Sequence, residues 1–459
     1  MSEEAINLLV EQIGGLLSEE SVESGIPKVA EAAPKVDEVS LALQLGQDVV
    51  PVKSWDELNL KPEIRRALVD VGFVKPSVIQ ETALPLIITH GRNIIAQAKN
   101  GSGKTASFSL GVLSVVDPTN PATQAIVLSP TRELAKQNLD VIEKLGKYCG
   151  IGLQLVVPMA EGMDALNDGS AQIISGTPGK VLELLRKRQI NGKGVKMFIL
   201  DEADVMISTE NNMGVQVSNI RQLLAPNVQT LLFSATYPES VRKFAHQMVP
   251  RAAKIEVKTT DLTLSTIWQV YIEVVDKFQV LSDLYAIMNV GQSIIFVNSR
   301  NTAYELAKKM KEIGHSVSLI CGSSKGSEIA MVDPKVRDMV LDEFRTGVSK
   351  VLIATDVLAR GIDVPAVTLV INYELPLVYE QGQKSSTVNC ETYLHRIGRT
   401  GRFNQQGVAV NLVTRDELAK IKSIEDFYGC EIEKIEADID VLETRLQQVG
   451  EQNRLNRKP

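Results

Sequence analysis

The stretch "AQAKNGSGKT", residues 96–105, follows the apolar "RNII" and leads into "ASFSLGVLSVV". Strand, glycine-rich turn and helix is the arrangement that aims backbone N–H groups and the positive end of a helix dipole at a phosphate. The general phosphate-loop pattern has glycine where Ala98 stands. The other positions fit that chemistry. Gly101 and Gly103 let the backbone approach an anion closely, Lys104 suits β- and γ-phosphates, and Thr105 suits Mg²⁺.

A second element is needed for hydrolysis, and "ILDEAD" (199–204) supplies it about a hundred residues on. Asp201 and Glu202 follow an apolar strand, where one carboxylate serves the metal and the other orients water as general base. "HRIGRTGR" (395–402) then places four basic side chains in eight positions, broken by two glycines. Arginines suit a transferring phosphoryl group. Arg399 and Arg402 therefore complete a site whose phosphate loop lies in the other half of the chain, and catalysis requires closure.

The chain has 459 residues, too many for one core at about 100–200 residues per domain. From about residue 55, strand-like runs alternate with helical ones: "AIVLS" (125–129), "AQIIS" (171–175), "KMFILDEAD" (196–204) and "TLLFSAT" (230–236). The rhythm resumes with "SIIFVNS", "VSLIC", "KVLIATDV", "VTLVINYEL" and "GVAVNLVT". This predicts parallel sheets covered by helices on both faces. The helix at 301–314 is assigned a capping box of Thr302 with Glu305.

Residues 1–50 read as an acidic extension with an amphipathic helix at 1–17 and a linker after it. Residues 51–257 form the first lobe, 258–265 a linker, 266–445 the second lobe and 446–459 a charged, frayed tail. Net charge is −7, but residues 1–50 hold ten acids against two lysines. The body is therefore near neutral, and a basic groove for nucleic acid is not excluded. Cysteines 149, 321, 390 and 430 are scattered, which argues against zinc and for a reducing compartment. No apolar run is long enough to span a membrane.

The motif set resembles the DEAD-box RNA helicases over about residues 55–432. "GFVKPSVIQ" (72–80) is similar to the adenine-reading segment of that family, and alanine at position 98 is the family's own usage. "PTRELA" (130–135), "TPGK" (177–180), "SAT" (234–236) and "TDVLARGID" (355–363) complete the resemblance. It implies a P-loop NTPase of helicase superfamily 2, with two RecA-like parallel-sheet domains joined by a short linker. ATP, Mg²⁺ and single-stranded RNA are the implied ligands.

The implied nucleotide contacts are Trp55, Lys75 and Gln80, with Ala98, Asn100, Gly101, Ser102, Gly103, Lys104 and Thr105 at the phosphates. Gly361, Asp363, Arg399 and Arg402 approach from the second lobe. Asp201 and Thr105 serve the metal, and Glu202 the water. RNA falls to Pro130, Thr131, Arg132, Thr177, Pro178, Gly179, Arg337, Thr355 and Arg360. Ser234, Ala235 and Thr236 couple the two sites, and His395 links to them.

Residues such as "FSATYPESVRKFAHQMVP" and the insertion between Pro376 and Tyr393 resemble the mRNA-export branch. That branch implies a nucleoporin and an inositol hexakisphosphate-dependent activator as partners of a monomer working at the cytoplasmic face of the nuclear pore complex. Pro334 and Cys321 depart from the family's RNA-contacting pattern. The alternatives are a general DEAD-box helicase in translation or RNA processing, a DNA helicase, and an ATP-gated RNA clamp or nucleoporin-binding scaffold with little turnover. The presence of Glu202, Arg399 and Arg402 argues against a clamp with little turnover.

Overall fold

The computed structural model describes residues 42–44, 50–98, 101–158, 171–207, 212–256, 266–287, 291–321, 334–356, 364, 366–380, 383–401, 405–435 and 439–456. The helix at 1–17, the linker at 258–265, and Asn100, Arg360, Gly361, Asp363 and Arg402 lie outside them.

The first lobe runs β1 (Ala42–Gln44), α1 (Pro62–Asp70), α2 (Val78–Leu84), β2 (Ile94–Gln97), α3 (Lys104–Val115), β3 (Ala125–Leu128), α4 (Arg132–Leu145) and β4 (Leu153–Val156). It continues with β5 (Ile173–Gly176), α5 (Pro178–Arg186), β6 (Met197–Leu200), α6 (Ala203–Ile207), α7 (Met213–Leu223), β7 (Gln229–Ser234), α8 (Glu239–Met248) and β8 (Ala253–Glu256). The sheet order is β1-β8-β2-β7-β6-β3-β5-β4. Every pairing is parallel except β1 with β8.

Alternate side chains enter opposite cores. Ile94 and Ala96 of β2 join one apolar cluster and Ile95 the other, so both faces are covered and the strands read as continuous apolar runs. The sequence reading placed 42–44 in a linker. They instead add an antiparallel edge strand, because the last strand of a parallel sheet leaves its outer hydrogen-bonding groups open.

The second lobe runs β9 (Ile267–Glu273), α9 (Lys277–Ile287), β10 (Gln292–Val297), α10 (Arg300–Glu312), β11 (Val317–Ile320), α11 (Pro334–Arg345), β12 (Val351–Thr355) and β13 (Val367–Asn372). The hairpin β14 (Leu377–Glu380) and β15 (Gln383–Val388) follows, then α12 (Cys390–Ile397), β16 (Gly407–Val413), α13 (Leu418–Tyr428), β17 (Glu433–Ile435) and α14 (Ile439–Asn456). The parallel order is β11-β12-β10-β13-β16-β9-β17. Its three apolar clusters contain no residue of the first lobe, and those of the first lobe contain none of the second.

Two expectations change here. The cap of α10 is Ser299, whose hydroxyl accepts from Thr302 N at 3.0 Å, so the helix starts two residues before the assigned box. The 445/446 boundary falls inside α14, where Val449 is buried and Asn453 exchanges two hydrogen bonds with the Gln406 backbone. As far as Asn456 that segment is helical and packed rather than frayed.

Candidate functional site: a cleft between two lobes

The chemistry-bearing residues of the first lobe sit where parallel strands end. The phosphate loop follows β2, Thr131 follows β3, Thr177 follows β5, the DEAD residues follow β6, and Ala235 and Thr236 follow β7. Ligands bind beyond the carboxyl ends of such sheets, because helix N-termini converge there.

The loop is shaped by its glycines. Gly103 has φ +100°, and a Cβ there would lie 2.7 Å from Gln80 Nε2 and 2.9 Å from Ser77 Oγ. Gln80 lies under the loop. Its Oε1 accepts from Ser77 N at 2.8 Å and its Nε2 donates to Gly103 O at 3.2 Å. Ser77 Oγ donates to Ser102 O at 2.8 Å. Trp55 is buried, with Nε1 donating to Phe73 O, so it braces the same segment from behind. Lys75 is exposed. Ala98 is pinned through its N–H to Ser234 O, which ties the loop to the end of β7.

Lys104 is buried, and Nζ donates to Ala98 O at 2.8 Å. Burial pushes its pKa down, Asp201, Asp204 and Glu202 pull it up, and Arg399 adds a further downward push. Arg399 of the second lobe therefore belongs to this electrostatic site. Asp201 is raised to about 6 by burial and by Glu202, against Lys104 and a 2.8 Å bond from Asn138 Nδ2. Glu202 has φ 51°, a left-handed conformation that costs a non-glycine residue about 1–3 kcal/mol. Its Oε2 is buried without a hydrogen-bond partner. Such strain and such an unsatisfied acceptor fit a group kept for a substrate.

Asp204 is the hub. Its Oδ2 accepts from Thr236 N at 3.1 Å and Thr236 Oγ1 at 2.5 Å, and lies 3.0 Å from His395 Nε2 across the lobes. Burial raises its pKa, but His395 and Thr236 outweigh that and hold it well below the usual carboxylate range. Ser234 Oγ accepts from Asp204 N at 3.3 Å. His395 is carried by α12, and Arg399 Nε donates back to His395 O at 2.9 Å.

The residues expected at RNA line the same edge. Thr131 caps α4 by accepting from Leu134 N, with Pro130 beside it. Pro178 begins α5, with Gly179 exposed, and Thr177 Oγ1 is buried without a hydrogen-bond partner. Thr355 ends β12. Two arginines are engaged across the cleft. Arg337 of α11 donates to Glu133 at 2.8 Å, and Arg132 pairs with Asp338 at 3.4 Å. Pro334, where the family pattern has glutamine, opens α11.

Sequence reasoning missed Asp204, Asn138, Glu133, Asp338 and Asp356. Asp204 was present in the quoted DEAD stretch, but its partners lie 32 and 191 residues away. Asn138 and Glu133 carried one available signal. They are polar residues on the inward side of an amphipathic helix, fully buried and 5% exposed respectively.

Residues 77–244 match the DEAD/DEAH box helicase family and residues 276–404 the helicase conserved C-terminal domain. The chain belongs to the DEAD/DEAH box helicase family. It is an ATP-dependent RNA helicase by class. It is 46% identical over 386 residues to the ATP-dependent RNA helicase DBP5 of Scheffersomyces stipitis, covering 82% of this chain and 73% of that one.

The fold is likewise that of solved relatives. Saccharomyces cerevisiae Dbp5 bound to RNA and ADP BeF3 superposes with a TM-score of 0.80 at 41% identity, over 87% of this chain and all of that one. A Saccharomyces cerevisiae Dbp5 variant bound to Nup159, a Gle1 variant, IP6 and ADP matches at 38% identity with a TM-score of 0.60. It covers 86% of this chain and all of the other. Both lobes of this DEAD-box chain are therefore RecA-like α/β domains.

Proposed function

We propose that this helicase couples RNA-stimulated ATP hydrolysis to local RNA unwinding or removal of protein from mRNA during export at the nuclear pore. The observation that carries the coupling is the bridge Thr236–Asp204–His395. It joins the end of β7, the DEAD segment and the second lobe in one buried cluster.

ATP is bound by the first lobe. Gln80, Trp55 and Lys75 are the residues assigned to the adenine. Ala98, Asn100, Gly101, Ser102 and Gly103 offer the loop, and Lys104 and Thr105 take the phosphates. Thr105 and Asp201 would hold Mg²⁺, which would supply charge neutralisation at the phosphates. The buried, acidic end of β6 suits such a cation, since burial and the neighbouring Glu202 raise the cost of ionising Asp201 there. Glu202 accepts the proton of the attacking water. Gly361, Asp363, Arg399 and Arg402 approach on closure, and the arginines meet the charge on the transferring phosphoryl group.

RNA is held by its backbone through Pro130, Thr131, Arg132, Thr177, Pro178, Gly179, Arg337, Thr355 and Arg360. Such contacts carry little sequence information. The unsatisfied Thr177 hydroxyl supports this reading. The export assignment rests on similarity to Dbp5 chains solved with RNA, Nup159, Gle1 and IP6. A nucleoporin and an inositol hexakisphosphate-dependent activator are the corresponding partners here, with the cytoplasmic face of the pore as the site of action.

The test is ATP hydrolysis measured with single-stranded RNA, single-stranded DNA or neither, then with an added activator and inositol hexakisphosphate. Stimulation by RNA alone among the nucleic acids, and further stimulation by the activator, is expected. Equal stimulation by DNA would overturn the RNA assignment, and no response to the activator would overturn the export assignment.

A further inference from the structure

His395 meets Asp204 of the first lobe and Arg399 acts electrostatically on Lys104, yet they stand on and just beyond a helix of only eight residues. Something must fix that helix on its own sheet. A chain of buried polar side chains runs beneath it. Arg396 Nη1 donates to Asn372 Oδ1 at 3.3 Å, and Asn372 Nδ2 donates to Asn411 Oδ1 at 2.8 Å. Asn411 Nδ2 donates to Tyr393 Oη at 3.2 Å, and Tyr393 Oη donates to Gln269 Oε1 at 3.0 Å. Arg396, Asn372, Asn411 and Tyr393 are each at most 1% exposed.

The direction of this chain is fixed at both ends. Arg396 is a donor only, so the oxygen of Asn372 must face it. The carbonyl of Val270 is an acceptor only and takes the second proton of Asn411 Nδ2 at 2.9 Å. Every bond therefore points away from the guanidinium, and bonds aligned in this way polarise one another. Burial keeps the Tyr393 hydroxyl protonated by pushing its pKa up, so it remains a donor.

Tyr393 and Arg396 are three residues apart and share one face of α12. His395 leaves from another face to meet Asp204. The chain thus holds α12 against β13, β16 and β9 at two successive turns. Arg396 also grips Asp356 with two bonds, at 2.5 and 3.0 Å, and Asp356 follows Thr355.

We propose that Tyr393, Asn411 and Asn372, with Arg396, form a positioning device that sets the register of α12 and so places His395 and Arg399 at the first lobe. The proposal rests on the reading of those two residues as parts of the ATPase site. Tyr393 is the residue that can be altered most cleanly, because Tyr393→Phe keeps the ring and removes one hydroxyl. Gln269, only half-buried at the outer end, can be changed with little risk to folding.

The experiment measures kcat and KM for ATP, with and without RNA, for Tyr393→Phe, Gln269→Leu and the double variant, at a temperature well below each melting midpoint. The device predicts a five- to tenfold lower kcat for Tyr393→Phe with KM within twofold of the parent. It predicts a two- to threefold loss for Gln269→Leu, and a double variant no worse than Tyr393→Phe alone. A merely structural role predicts a lower melting midpoint with parental kcat, and that result overturns the proposal. So does a double variant whose losses multiply. If Tyr393→Phe fails to fold, Gln269→Leu decides alone, since a parental kcat there overturns the proposal. If the parent shows no RNA stimulation, the functional reading fails, while the ratio of variant to parent without RNA still judges the device.

Discussion

Replacing Glu133 by Gln tests how much the lobes depend on one buried charge. Glu133 accepts from Arg337 at 2.8 Å with side chains 3% and 12% exposed. A hydrogen bond between charged groups is worth about 1.5–3 kcal/mol and a neutral one about 0.5–1.5 kcal/mol. Glu133→Gln keeps the shape and a neutral acceptor, so it removes about 1–1.5 kcal/mol from closure. At about 1.4 kcal/mol per factor of ten, the closed state becomes about 5- to 12-fold rarer relative to the open one.

RNA binding that requires closure weakens by the same factor, since linked equilibria share one coupling energy. Glu133 also lies in the first turn of α4, where its charge favours the helix by about 0.3–1 kcal/mol. That contribution is equal in open and closed lobes, so it lowers the melting midpoint without altering RNA affinity. The assay is anisotropy of a labelled single-stranded RNA, with and without a non-hydrolysable ATP analogue. The loss is expected only with the analogue. Affinity within twofold of the parent, or an equal loss without nucleotide, would refute the reasoning.

Glu202→Gln is expected to retain ATP binding and lose hydrolysis by about 10²–10⁴-fold, since an amide accepts no proton; single-turnover kinetics check it. Gly103→Ala forces a Cβ to within 2.7 Å of Gln80 Nε2 at φ +100°, at a cost of about 1–3 kcal/mol; titration with a fluorescent ATP analogue should show ATP affinity falling with stability. Asn138→Leu removes the bond that orients Asp201, and the Mg²⁺ concentration for half-maximal ATPase should rise about 10–100-fold. Deleting residues 1–41 leaves β1 in place and is expected to raise ATPase activity at subsaturating RNA through tighter apparent RNA binding; unchanged activity and affinity would make that acidic segment a linker.

The nucleotide half of the site was legible because its signals are local. "GSGKT" and "ILDEAD" each combine an apolar strand with the residues at its carboxyl end, and the structure keeps them there. The contacts that join the two lobes were less legible. Asp204 meets Thr236 and His395 only after two lobes have folded, and no spacing in the sequence encodes a bond over 191 residues. The edge strand at 42–44 was missed because its pattern is short and its stability comes from β8. The cap of α10 was misplaced because Ser299 and Thr302 both suit the role, and only geometry shows whose hydroxyl accepts the N–H. The packing of α14 was missed because its apolar residues are sparse among charged ones.

The apolar clusters of the two lobes are separate, and the contacts described between the lobes are polar: His395 with Asp204, Arg337 with Glu133, and Arg132 with Asp338. A seam of this kind parts at low risk. Opening it wets carboxylates and guanidinium groups, which water solvates well, while the apolar clusters of the described residues stay each within one lobe. Under the proposed cycle of opening and closing, each parting of the lobes at these contacts therefore exposes charged rather than apolar groups. While closed, the same seam is also shielded from ionic strength, because the pairs Glu133–Arg337 and Asp204–His395 are buried and buried pairs are screened far less than exposed ones.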